Sequence, residues 1–228
     1  MFALSIATSF AFLVARQLVS EDWPVILEVS SIVLLAVLGF GADWFLGGAL
    51  LFSALGDFLL GVRRLGELEG ESLFLLGLGS FLIAHLVYIA MFRRYRLMDL
   101  RKVGAARASG VMTVVVALAV VLGILRPALG DLLIPVVVYA VVLGGMAMSA
   151  LLADLGTPLA AAGALLFIAS DAMLAIGKFH GPFPGSAQLI WITYYASQAL
   201  ILQGTLRRTK AGNRMLPQRG ESRDRENF

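Results

Sequence analysis

Eight apolar stretches, each near the length that crosses a bilayer and each joined to the next by a short turn, constrain this chain more than any other feature. A hydrocarbon core of about 30 Å takes roughly 20 apolar residues of helix. The stretches run Phe2–Val19, Val25–Gly41, Trp44–Val62, Ser72–Phe92, Ala108–Leu125, Leu132–Leu152, Pro158–Gly177 and Ala187–Leu206. The seventh is the best marked, with Thr157 as an N-cap and Pro158 where a first turn tolerates proline; Ser186 caps the eighth in the same way. Turns such as "GFGADW" and "RPALGD" hold no extramembrane domain. The predicted fold class is therefore all-α, a polytopic membrane bundle of eight transmembrane helices. The N-terminal stretch has no basic leader and no small-residue cleavage site, so it reads as the first span and not as a signal peptide.

Composition agrees and excludes several chemistries. With 59% hydrophobic and 14% charged residues the chain lies far outside the soluble norm. It has no cysteine, which removes disulfides, thiolate nucleophiles and Cys-ligated metals, and its two histidines make a His-rich metal site unexpected. The net charge of +3 is no nucleic-acid signature once the basic residues are located. Thirteen of the eighteen lie on one side of the expected bundle, six from Arg93 to Arg107 and seven from Arg207 to Arg225. The positive-inside rule then puts both termini in the cytoplasm. Residues 1–208 form the expected transmembrane domain, and 209–228 a disordered polar cytoplasmic tail that anchors topology. The chain is thus expected in the membrane as a multi-pass protein, in the cell inner membrane if its source is bacterial.

Two acids interrupt the apolar runs. "FSALGDFLLG" carries Asp57 in span three and "FIASDAMLAIG" carries Asp171 in span seven, each directly after a small residue, Gly56 or Ser170. These matched contexts form a faint internal echo, as a parallel duplication would. An intramembrane carboxyl is costly unless it faces the bundle interior or water, which makes it a functional candidate by default. Counted at about 1.5 Å per residue, Asp57 lies roughly 8 Å and Asp171 roughly 9 Å below the outer ends of their spans, so the two can meet. Two carboxyls that share one poorly hydrated pocket do not ionise together, and one serves as acid and the other as base. Asp43, Asp131 and Asp154 sit at span ends and need no function.

The same count puts Tyr194 and Tyr195 of span eight near 10 Å, with Gln198 a turn deeper and Tyr139 of span six at a similar level. Their hydroxyls and amide suit binding of a carboxylate or a substrate. His85 comes out some 20 Å deep, in the other half of the membrane, as a packed histidine paired with Tyr88 at i+3. Glu28 and Arg16 are shallow and read as a plain ion pair.

"SALGDFLLG", "FLIAHLVY", "YAVVLGGMAMSA", "ASDAMLAIGKF" and "YYASQALILQG", in that order and spacing, resemble the YhhN family of lysoplasmalogenase-like membrane proteins over essentially all eight spans. The resemblance implies an eight-helix hydrolase that cleaves the vinyl-ether bond of lysoplasmalogens to a fatty aldehyde and a glycerophospho-alcohol. It implies catalytic acids at Asp57 and Asp171, an ether-lipid substrate, and no metal or organic cofactor. Tyr194, Tyr195, Gln198 and Tyr139 would bind substrate or water. Family members commonly carry Lys-Pro in span two where this chain has Glu28 and Val29, so a role for that lysine does not carry over. A small proton-coupled transporter using the same acids is the alternative, compatible with mid-span Gly77, Gly79, Gly144 and Gly145 but lacking matched Pro-broken spans. A non-catalytic membrane scaffold is the third reading.

Overall fold

The computed structural model describes residues 1–18, 23–62, 64–65, 68–95 and 104–215. Among them the chain forms eight helices: α1 (Phe2–Leu18), α2 (Val25–Phe40), α3 (Trp44–Gly61), α4 (Glu71–Arg94), α5 (Ala105–Leu125), α6 (Leu133–Leu152), α7 (Leu159–His180) and α8 (Ser186–Met215). The one sheet is a hairpin of β1 (Arg64–Leu65) and β2 (Leu68–Glu69), between α3 and α4. The fold is all-α. Helix ends fall within about three residues of the apolar stretches, except that α8 continues to Met215, into the polar stretch that begins at Thr209. The rest of the expected tail, 216–228, lies outside the described residues, as do Arg63, Arg96, Arg101 and Lys102.

Continuous runs of Leu, Val, Ala and Phe form helices here because a helix satisfies its own backbone groups, the one requirement hydrocarbon imposes. Helices α3 to α7 are long and apolar enough to cross a membrane, α5 and α6 together with the short 3-10 turns that join them. The apolar α1 and α2 are shorter, at 17 and 16 residues. Helices α2, α3, α4, α6, α7 and α8 pack in that order as a closed ring, with α1 against α2 and α8, and α5 against α6 and α7. Peripheral α5 buries only Val114 and Leu125 and turns Met112, Val115, Val116, Val120 and Ile124 outward. An apolar face of that extent marks contact with lipid.

The hairpins α3–α4 and α7–α8 are closely packed. In the second, a Cβ added to Gly163 would stand 2.6 Å from the Ser197 carbonyl oxygen, and one on Gly204 would stand 2.9 Å from the Ala160 backbone nitrogen. Membrane helices approach this closely only where small residues line the seam. Gly56, before Asp57, serves a related end: it admits the Phe81 ring, which an added Cβ would meet at 2.5 Å.

Asp43, at the start of α3, is structural. Asp43 caps α3 by accepting the Phe45 N–H at 2.8 Å, and its Oδ2 also accepts from Arg94 and from the Tyr95 hydroxyl, each at 3.3 Å. Asp43→Ala is expected to cost about 1–2 kcal/mol through the lost cap. Thermal unfolding in detergent should show this as a midpoint lower by several degrees.

Candidate active site

One cavity of about 660 Å³ opens at the end of the bundle formed by the last turns of α3 and α7 and the first turns of α4 and α8. Gly61, Val62, Gly70 and Pro182 edge it. Asp57 and Asp171 both line it. Their distances from the ends of their helices differ. Asp57 is four residues from the end of α3 and Asp171 nine from the end of α7, about 6 and 13 Å along their helices.

Each carboxyl is held by a tyrosine from another helix. The Tyr194 hydroxyl of α8 donates to Asp57 Oδ2 at 2.8 Å. The Tyr139 hydroxyl of α6 donates to Asp171 Oδ2. Both tyrosines also line the cavity. Among the described residues Oδ1 of each acid has no hydrogen-bond partner, yet neither atom is sealed from the cavity. A carboxyl oriented through one oxygen with the other free is a competent donor or acceptor of a proton.

Behind Asp57 a buried chain of hydrogen bonds runs deeper into the bundle. Gln198 Nε2 donates to the Tyr194 hydroxyl at 3.3 Å, and the Tyr88 hydroxyl of α4 donates to Gln198 Oε1 at 2.6 Å. Every donor in the chain points toward Asp57. Since the amide nitrogen cannot accept, the Tyr194 hydroxyl has only Asp57 to which it can give its proton.

The other expected residues fall in different places. Gln198 is fully buried behind Tyr194 and does not line the cavity. Tyr195 points the other way, toward Ser5 of α1 at 2.8 Å. Ser5 spends its own proton on the Ser31 carbonyl at 2.7 Å, so Tyr195 donates, and the three residues tie α8, α1 and α2 together. Ser170 lines the cavity and donates to the Ile190 carbonyl at 3.0 Å, locking α7 to α8 beside Asp171.

His85 lies much nearer the site than the sequence count puts it. Its ring centroid is 5.4 Å from that of Tyr139 and 4.7 Å from that of Phe167. It stands about 21 Å along α4, whereas Tyr139 stands about 9 Å along α6, so α4 enters the bundle well before α6. Its Nδ1–H donates to the Phe81 carbonyl, and its buried Nε2 has no partner among the described residues. Tyr88 bonds to Gln198 and not to His85.

Arg16 and Glu28 line the same cavity and attract each other without forming a direct ion pair. Sequence reasoning set both aside as a plain ion pair and did not single out Lys178. Lys178 also lines the cavity, and its ammonium is 4.9 Å from the Phe74 ring centroid. Its spacing of seven from Asp171, one face of a helix, is the signal that would have found it.

Residues 23–205 match the family model described as "YhhN family". The chain belongs to the YhhN family. It is a multi-pass integral membrane protein. Among curated relatives, a protein named "Lysoplasmalogenase" from Mycobacterium bovis is 40% identical over 161 residues, covering 68% of this chain and 58% of the relative. A protein of the same name from Mycobacterium tuberculosis gives the same figures. "Lysoplasmalogenase TMEM86B" of Homo sapiens is 33% identical over 172 residues, covering 73% of this chain and 66% of that protein. The match thus spans somewhat over half the length of the mycobacterial relatives. No solved structure matches the chain.

Proposed function

We propose that this chain is a membrane-embedded hydrolase that cleaves the vinyl-ether bond of a lysoplasmalogen, releasing a fatty aldehyde and a glycerophospho-alcohol. The observation that carries the reading is the pair Asp57 and Asp171 on the wall of one cavity, each oriented by a tyrosine. The names of the mycobacterial and human relatives support the choice of substrate.

The slow step of vinyl-ether hydrolysis is protonation of the β-carbon, which converts the C=C–O unit to an oxocarbenium ion. One carboxylic acid of the pair supplies that proton. The other, ionised, stabilises the cation and takes a proton from the water that attacks the α-carbon. The resulting hemiacetal collapses as the second carboxyl gives its newly gained proton to the glycerol oxygen, the bond from that oxygen to carbon breaks, and the hemiacetal hydroxyl returns a proton to the first carboxylate as it becomes the aldehyde carbonyl. One water is consumed and both carboxyls return to their starting states. The pair titrates as a unit, so the roles belong to the pair. Tyr139 and Tyr194 hold the acids toward the substrate, and Gln198 fixes the direction in which Tyr194 donates. Tyr195, bonded to Ser5, stands back from the reacting atoms. In this reading the termini face the cytoplasm and the cavity opens outward.

The test is to incubate the detergent-purified protein with a 1-alkenyl lysophosphatidylethanolamine and, separately, with its saturated 1-alkyl analogue, and to measure aldehyde. Aldehyde is expected from the first alone. No aldehyde, combined with proton uptake into liposomes carrying the protein, would replace the hydrolase reading with the transporter.

A further inference from the structure

Along α7 the cavity wall carries a regular stripe. Asp171, Leu174, Ala175 and Lys178 all line it, at helical spacings of three, four and seven from the acid. Lys178 therefore stands on the same face as Asp171, about 10 Å nearer the mouth along the axis. Helix α7 ends at His180, which leaves the lysine in the last turn. Its ammonium rests over Phe74 of α4, and Phe74 packs edge-on against Phe179 at 6.1 Å, so both sides of the mouth hold the group in place.

The remaining charged groups on this wall, among the described residues, are Asp57, Arg16 and Glu28. Arg16 and Glu28 come from the last turn of α1 and the first turn of α2. Neither Lys178 nor Arg16 makes an ion pair among the described residues, and of the two it is Lys178 that shares a helix face with Asp171. A lysine here reaches water with its head while its stem covers apolar wall.

We propose that Lys178 is the phosphate anchor of the cavity, binding the phosphodiester of a lysophospholipid headgroup while the lipid's ether carbons lie against Asp171. The spacing fits. From the β-carbon of a 1-alkenyl chain through the glycerol backbone to phosphorus is roughly 9 Å in an extended conformation, at ordinary single-bond lengths. This is close to the two helical turns between the acid and the lysine. The chain beyond the ether carbons then lies among Leu78, Phe81 and Val136, and the cavity selects a phosphorylated lipid over a neutral glycerol ether. The proposal rests on the reading of the cavity as a lysoplasmalogen site, but it can be tested by binding alone.

The experiment compares the wild type with Lys178→Met and Lys178→Arg. Calorimetry in detergent measures binding of a saturated 1-alkyl lysophosphatidylethanolamine and of the 1-alkylglycerol that lacks the phosphate. The wild type is expected to prefer the phospholipid. Lys178→Met should cut that preference about tenfold, the loss of one charge-assisted contact, and Lys178→Arg should retain most of it. With 1-alkenyl substrates, the same ratio should change in KM while kcat stays within about twofold. Three results overturn the proposal: an unchanged preference in Lys178→Met, an equal loss for both ligands, which would make the lysine a wall residue acting through Phe74, or inorganic phosphate binding as tightly as the phospholipid, which would make the site one for a free anion. Lys178-dependent binding without any aldehyde release would leave this assignment standing and remove the hydrolase reading instead.

Discussion

Asp57→Asn and Asp171→Asn are each expected to lower aldehyde release from a lysoplasmalogen by about 100- to 10,000-fold, the usual worth of a positioned acid or base. Asparagine keeps the volume and keeps an oxygen to accept from Tyr194 or Tyr139, so the hydrogen bonds that link α3 to α8 and α7 to α6 are retained. What disappears is the exchangeable proton. The double variant should be little worse than either single one, because the two groups act as one unit and such effects do not add. The assay needs a gel-filtration profile matching the wild type beside it. Full turnover by either variant in that folded state would remove the carboxyl pair from the mechanism.

Gly163→Leu is expected to have the largest effect on the fold. Even one methyl at this position would sit 2.6 Å from the Ser197 carbonyl oxygen, and backbone cannot swing aside as a side chain can. Overpacking by a single methylene costs about 1–3 kcal/mol, and a leucine adds several. Helices α7 and α8 would have to separate. They carry Asp171 and Tyr194, so the site would open with them. Gly163→Ala should lower the thermal midpoint in detergent by several degrees, and Gly163→Leu should fail to give a monodisperse species. A Gly163→Leu protein that unfolds at the wild-type temperature would show that this seam does not hold the bundle.

Much of the architecture was legible before any coordinates. Run length and apolarity are local properties of the chain, and hydrocarbon leaves a continuous apolar run only one way to satisfy its backbone, so the eight helices lie where the stretches lie. Asp57 and Asp171 were legible for a related reason, since a carboxyl in an apolar run is too costly to be incidental. Depth within a span was less reliable. The count works along one helix at a time, and α4 and α6 enter the bundle at different levels, which is how His85 comes to lie against Tyr139.

What the sequence by itself determined, then, is the number of the helices, their extent except at the end of α8, and which carboxyls stand inside apolar runs. Only the tertiary structure decided which faces meet: that Tyr194 turns to Asp57 while adjacent Tyr195 turns to Ser5, that Gln198 stands behind the cavity, and that Lys178 faces into it. Adjacent residues on a helix point about 100° apart. Which of them reaches the cavity depends on the rotation and stagger of each helix, and these are set by packing between segments far apart in the chain.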